Sequence, residues 1–339
     1  MGGTIVDRRR FLQAALLCGG LAAATLAGCG AGRGDGNEVQ TKAQPEPEAE
    51  APEQPVPQGE DTQKAADPAP TADRTVTLNN GIEMPRLGIG TYILSNAQAE
   101  ESVYAALMAG TRLIDTARIY GNEEGVGRGI ARAGVSRDEV FLTTKLWTAD
   151  FANAAEAIDA SLARMGQDYV DLLLLHHEDA NDEDAYRAME DAVAAGKVRS
   201  IGISNFYEDG FDRIVGMASI PPAVLQNETH PYFAERNIHE HLAGSGAGTL
   251  LEAWFPLGGK DNCDVLFSDE TIAEIAANHG VSPAQTLIRW HLQTGNVCIP
   301  GSSNPDHIRE DANVWDFELT PDEMAAIDAL DRNQRFAWY

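Results

Sequence analysis

The chain has 339 residues, 43% of them hydrophobic, with 32 glycines, enough to bury a large core. Its formal charge of -27 makes a surface that repels nucleic acid and anionic headgroups, so nucleic-acid binding is discounted. Four cysteines (Cys18, Cys29, Cys263 and Cys298) form no CxxC or Cys/His cluster, so no metal site is expected.

The first element in chain order reads as an address. Arg8, Arg9 and Arg10 precede an uncharged run from Phe11 to Gly28, and Leu26-Ala27-Gly28-Cys29 closes it. A basic start, an apolar middle and small residues at a cleavage point describe a signal peptide. Arg8-Arg9-x-Phe11-Leu12 resembles a twin-arginine signal, with Asp7 and Gln13 departing from its usual flanks. The LAGC stretch resembles a bacterial lipobox, whose cysteine, here Cys29, is lipidated and becomes the new N-terminus. An uncleaved membrane anchor is the alternative, although the run is barely as long as the ~20 apolar residues that span a bilayer. Either way the protein is expected to be exported and tethered to the outer face of the cytoplasmic membrane. Residues 30–72 are dominated by Pro, Glu and Ala, with too little apolar area to offset ordering entropy. They read as a disordered acidic linker, which leaves residues 73–339 for the folded part.

That part opens with TVTLNNGIEMPRLGIGTY, where Asn80-Gly81 sits between two short strand-like runs and predicts a hairpin. Strand-like runs then recur as RLGIGTY, RLID, VFLTTKLW, YVDLLLLH, KVRSIGISN, AVLQNE, TLLEAWFPL and NVCIPGS, with helical segments between them. One such helix is expected from Asn153 to Met165, burying Ala157, Ile158, Ser161, Leu162 and Met165. Another is expected after a Ser268 cap, ending at Gly280. Alternating β and α elements predict a parallel sheet, and eight runs in ~230 residues suit a closed (β/α)8 TIM barrel better than an open sheet. No GxGxxG follows the first strand, which counts against a Rossmann domain. Polar residues collect at the C-terminal ends of the strand runs: Asp115, Lys145, His176, Ser204 with Asn205, Gln226, Trp254 and Ser302. In a barrel those ends form the catalytic face, with Asp115 and Lys145 on neighbouring strands and Tyr120 on the loop beyond.

From about Thr75 to Tyr339 the chain resembles an aldo-keto reductase. The resemblance rests on GIEMPRLGIGTY, LIDTARIYGNEEGVG, TTKLW, DLLLLHH, IGISNF, HPY, AWFPLG and IPGSSNPDHI, in that order. It implies reduction of aldehydes and ketones by a nicotinamide cofactor, usually NADPH with NADH possible, without metal. It also implies that Asp115, Tyr120, Lys145 and His176 are catalytic. A tyrosine, with a pKa of about 10, is a weak acid alone, and a lysine beside it favours the phenolate. The lysine in turn needs a carboxylate, and a histidine can donate to the developing oxyanion. The family's His-Trp-Pro aligns with His176-His177-Glu178, so His177 and Glu178 depart from the pattern.

Ser204, Asn205 and Gln226 are implied to bind the nicotinamide carboxamide, and Trp254 to stack on its ring, with Pro256 and Leu257 beside it. Ser302, Ser303 and Arg309 remain to hold the phosphates, because Gly301 and His307 stand where the family carries a lysine and an arginine. Tyr92, Trp147 and His177 are placed at the substrate mouth. The tail from Arg335 to Tyr339 either closes one side of that mouth or lets Trp338 cap the barrel exterior. A small carbonyl compound is the expected partner, membrane contact is expected only through Cys29, and a monomer is expected. The rival readings are a nicotinamide-binding sensor or accessory subunit on the same barrel, and a sugar isomerase. The latter lacks paired acidic metal ligands here.

Overall fold

The structure, a computed structural model, describes residues 74–337. The leader, the linker, Cys29 and Trp338 lie outside the described residues.

A two-stranded antiparallel hairpin comes first, β1 (Thr75–Thr77) and β2 (Glu83–Pro85). Eight parallel strands follow in sequential order. They are β3 (Gly88–Gly90), β4 (Leu113–Asp115), β5 (Phe141–Leu146), β6 (Val170–Leu175), β7 (Val198–Ser204), β8 (Val224–Glu228), β9 (Leu250–Trp254) and β10 (Val297–Cys298). Each of the eight strand-like runs contains one of them. The last strand meets the first through a parallel bridge between Leu87 and Cys298. The Cys298 amide donates to the Arg86 carbonyl, and the Gly90 amide to the Pro300 carbonyl, both at 2.9 Å. The sheet is therefore closed into a (β/α)8 barrel.

Strand alternation sorts the side chains into two apolar sets. Ile114, Leu142, Leu173, Leu175, Ile201, Ile203, Leu225 and Leu251 join the cluster between the strands and the surrounding helices. Their neighbours Leu113, Phe141, Leu172, Leu174, Val224 and Val297 form a second cluster together with Leu78 and Met84 of the hairpin. The hairpin thus plugs the end of the barrel where the strands begin. Its Asn79 and Asn80 amides donate to the carbonyls of Pro222, Ala247 and Arg199, which anchors it there. Two residues beyond Leu113, Val224 and Leu250, and four beyond Phe141, the same alternation brings Asp115, Gln226, Glu252 and Lys145 to the inner face. Sequence period alone therefore places a polar layer above an apolar one.

Three helices frame the loop that carries Tyr120: α1 (Asn96–Met108), α2 (Glu123–Ala133) and α3 (Ala154–Met165). In α3, Ile158, Ser161, Leu162 and Met165 are buried as expected, but Ala154 takes the place of the half-buried Ala157. The helix ending at Gly280 (Glu270–His279) is capped by Asp269, whose carboxylate accepts from the Thr271 amide. Ser268 instead donates back to the Asp264 carbonyl and closes the preceding short helix, so the expected cap is one residue early.

Helix α2 lies so close to its neighbours that its three glycines, Gly125, Gly127 and Gly129, have no room for a side chain. A Cβ at Gly127 would stand 2.1 Å from the Met165 carbonyl oxygen, and one at Gly125 2.1 Å from that of Asn96. We expect Gly127→Ala to destabilise the barrel by about 2–3 kcal/mol through overpacking, a fall of roughly 4–12 °C in Tm. An unchanged melting curve would show that α2 and α3 separate without cost.

Candidate active site

Lys145 is the element around which the site is built. It is wholly buried near the end of β5, and its Nζ donates to Asp115 Oδ1 at 2.5 Å and to the Thr116 carbonyl at 3.0 Å. An ammonium without water must be paired, and β4 supplies the carboxylate from the adjacent strand. Burial pushes the Asp115 carboxyl above its ordinary value, and the Lys145 charge and the amide of Gln226 pull it back down. The Lys145 Nζ stands 5.3 Å from the centroid of the Tyr120 ring.

Tyr120 ends a short 3-10 turn, Arg118–Tyr120, stopped by Gly121 at φ +67°. Its loop is fastened by Asn122, which sequence reasoning missed. Asn122 is wholly buried, donates to the Thr91 and Leu94 carbonyls at 2.8 and 2.9 Å, and accepts from Thr116 Oγ1 at 2.9 Å. The only sequence signal was an Asn after Gly121, which is also an ordinary turn residue.

His176 follows β6 directly, and its ring stands edge-on to Tyr120 at 5.6 Å. Burial holds the imidazole well below its usual range, and Lys145 and His177 add to the effect. It is therefore neutral at physiological pH and keeps one N–H to donate. His177 stacks on it at 5.0 Å and is lowered to about 4, by burial first and then by Arg335 and Lys145. Trp147 meets both histidines edge-on, at 5.3 and 5.5 Å. Tyr92 packs 5.1 Å from Tyr120 and 6.0 Å from Phe255, which itself meets Trp254 at 4.8 Å. Tyr92, Trp147 and His177 thus stand on an aromatic rim around Tyr120 and His176. Phe255, held at φ +53°, joins this rim and was not foreseen.

The residues expected to bind nicotinamide lie together at the ends of β7, β8 and β9, but much of their hydrogen-bonding capacity is already used. Asn205, at φ +59°, donates from Nδ2 to the His176 carbonyl and to Ser204 Oγ, and accepts at Oδ1 from Trp254 Nε1 at 3.1 Å. Gln226 gives its Nε2 hydrogens to Asp115 Oδ2 and Glu252 Oε2, leaving Oε1 as its atom for a ligand. This set still fits a planar ring bearing a carboxamide: Gln226 Oε1 can accept an N–H, Ser204 Oγ can exchange partners, and the half-buried Trp254 has an indole face to stack on. Pro256 is buried and Leu257 half-buried in the turn after β9.

Ser302 and Ser303 precede the short helix Pro305–Asp311, which Asn304 caps. Arg309 is paired there with Asp306 one turn back, and because both side chains are largely exposed the pair is weak and leaves Arg309 able to turn to a phosphate. At position 301 a Cβ would lie 3.0 Å from the Gly90 carbonyl, so a larger residue would crowd β3.

Glu228, at the end of β8, is a second residue that sequence reasoning missed. Wholly buried, it accepts from the Phe336 and Ala337 amides, from Arg335 Nε at 3.1 Å and from His230. Residues 335–337 are thereby strapped to the C-terminal end of β8. The charge of Arg335 adds, behind burial, to the depression of His177.

Comparison with known proteins bears on the whole barrel. The model of the "Aldo/keto reductase family" matches residues 86–332. An aldo-keto reductase of Mycolicibacterium vanbaalenii is 46% identical over 267 residues, covering 77% of this chain and 94% of its own. A glyoxal reductase of Bacillus subtilis is 42% identical over 265 residues, covering 77% and 94%. The crystal structure of an aldo/keto reductase from Brucella melitensis superposes with a TM-score of 0.71 at 40% identity, over 76% of this chain and 99% of that one.

With Gly301 and His307 in place of the two usual cations, discrimination between NADPH and NADH should be modest. Two charged contacts to a phosphate are worth ~1.5–3 kcal/mol each where they exist. Titration of both cofactors against intrinsic tryptophan fluorescence should give dissociation constants within about tenfold, or 1.4 kcal/mol. A thousandfold preference for NADPH would reveal a phosphate grip elsewhere.

Proposed function

The chain belongs to the aldo/keto reductase family and is an NAD(P)H-dependent oxidoreductase of carbonyl compounds, and from that premise we propose that Tyr120 is its proton donor. The observation that carries this reading is the wholly buried Lys145, paired with Asp115 and set beneath the Tyr120 ring. A barrel that only sensed cofactor would have no use for an ammonium in that place.

When bound, the nicotinamide supplies a hydride to the carbonyl carbon. Gln226 Oε1 and Ser204 would hold its carboxamide, and Trp254 would offer its indole face to the ring. His176, neutral, donates an N–H to the carbonyl oxygen and polarises it. As negative charge grows on that oxygen, Tyr120 gives up its proton. Lys145 stabilises the phenolate that remains, and Asp115 holds Lys145 in position. The aromatic rim of Tyr92, Trp147 and Phe255 keeps water away and suits a small, partly apolar aldehyde or ketone. Because His176 and His177 are both neutral through the physiological range, the mouth carries no histidine charge to select for anionic substrates.

We further propose that residues 1–29 are a twin-arginine-like lipoprotein signal, that 30–72 are a flexible leash, and that a monomeric barrel works outside the cytoplasmic membrane, held by lipid on Cys29. The supporting features are the Arg8-Arg9 pair, the LAGC stretch and the Pro/Glu-rich composition of the segment between. As a flexible coil the leash would average ~35–40 Å end to end, and more if its charge extends it. No helix among the described residues is long and apolar enough to cross a membrane. The twin-arginine route exports folded proteins, so the barrel could leave with cofactor bound.

Tyr120→Phe should abolish carbonyl reduction, read by optical loss of the reduced cofactor, while cofactor still binds. Activity within tenfold of the unaltered enzyme, about 1.4 kcal/mol of barrier, would remove Tyr120 from its role. Residues 73–339 expressed alone should be soluble and as active as the full chain, and Cys29→Ala should abolish lipid labelling. An inactive barrel, or a labelled Cys29→Ala protein, would break the division into address, leash and enzyme.

A further inference from the structure

The polar set below Tyr120 does not end at Asp115. Gln226 Nε2 stands 2.9 Å from Asp115 Oδ2 and 2.8 Å from Glu252 Oε2, so one amide bridges two carboxyl groups. All three side chains, and Lys145, are buried to within 2% of complete. The backbone enforces the bridge, since Gln226 and Glu252 are register partners on β8 and β9. Glu252 is not used by the reaction as derived above.

The two carboxyl groups are unequally supported. Asp115 receives an ammonium and an amide. Glu252 receives only the amide at Oε2, and its Oε1 has no hydrogen-bond partner among the described residues. A dry volume with two carboxyl groups and one ammonium cannot cheaply hold both as anions, and the less supported one keeps its proton. Burial first, and Asp115 second, push the Glu252 carboxyl up to about 8. The titratable groups around it are Asp115 from β4, Lys145 from β5 and the Cys298 thiol from β10, itself pushed up by burial.

We propose, resting on the reading of Tyr120 as proton donor, that Glu252 is a positioning residue for the reaction: through Gln226 it fixes the Asp115 carboxylate beneath Lys145, and its proton sets the charge that Lys145 and Tyr120 experience. The bridge also links the nicotinamide subsite to the proton-transfer residues. Gln226 can turn Oε1 toward the cofactor only while both its hydrogens stay on Asp115 and Glu252. The sign follows from like-charge repulsion. When Glu252 loses its proton, the added negative charge disfavours a phenolate nearby, so Tyr120 keeps its own proton to higher pH.

Glu252→Gln retains an acceptor for Gln226 but can never acquire that charge. The alkaline limb of kcat/KM for carbonyl reduction should therefore move to lower pH, by about half to one unit. The limb for alcohol oxidation, which needs the phenolate, should move the same way. Glu252→Leu removes the ionisation too, so its limb should shift likewise, while its kcat falls further because Gln226 loses an acceptor. A residue that merely filled space would change the height of these profiles and not their position. Both variants are measured beside Tyr120→Phe. If Tyr120→Phe is inactive and the limb in either folded Glu252 variant stays at the wild-type pH, the Glu252 assignment alone is overturned. If Tyr120→Phe remains active, the reading beneath it fails instead.

Discussion

A charged lysine in a dry barrel is the constraint on which the rest of this structure depends. Lys145 has no access to water, so its ammonium must find compensation from the protein itself. Asp115 supplies the charge and the Thr116 carbonyl a second acceptor. Removing one partner of such a pair typically costs ~3–5 kcal/mol, because the other charge is left buried and alone. The pair is poor value as a source of stability, which is why a chemical use for it is the natural reading. In the proposed reaction that use is to make a phenol give up its proton near neutral pH.

The barrel meets this constraint through alternation. Apolar side chains of β4, β5, β6, β8 and β10 fill the interior where the strands begin, and the hairpin seals that end with Leu78 and Met84. The same faces of β4, β5, β8 and β9 then turn polar toward the strand ends. Nothing in the polar layer could be moved by one residue without turning it toward the helices, since side chains switch faces at every step. Above it, Asn122 fixes the Tyr120 loop and Glu228 fixes residues 335–337, so both segments are tied to buried polar residues.

The mouth itself contrasts with the outside of the protein. The chain carries a formal charge of -27, yet the rim is built from Tyr92, Trp147, Phe255 and two neutral histidines. Aromatic rings edge-on to one another make a firm wall with few charges in it. Such a wall lowers the local dielectric, and hydrogen bonds from His176 and Tyr120 to a reacting oxygen gain strength accordingly. It also gives a strongly acidic protein an aromatic approach for a small carbonyl compound.

The sequence by itself determined the barrel and the residue types at its catalytic end. Those follow from period and order: each strand-like run held a strand, and Asp115, Lys145, Gln226 and Trp254 stood at or near strand ends because alternation is local. Side-chain partnership is not local, and only the tertiary structure decided it. Gln226 meets an Asp115 that is 111 residues away, and Arg335 meets a Glu228 at a separation of 107. No pattern within either segment announces such a meeting. Glu252 was passed over because an acidic residue inside a strand run reads as solvated until closure of the barrel puts it inside. The pairing of Arg309 with Asp306, only three residues apart, was within reach of helical spacing. It was missed because the short helix that creates that spacing begins only at Pro305. The exchange of Ser268 for Asp269 as a cap has the same origin: either residue can accept the amide, and the chain's path out of the preceding short helix settles which one does.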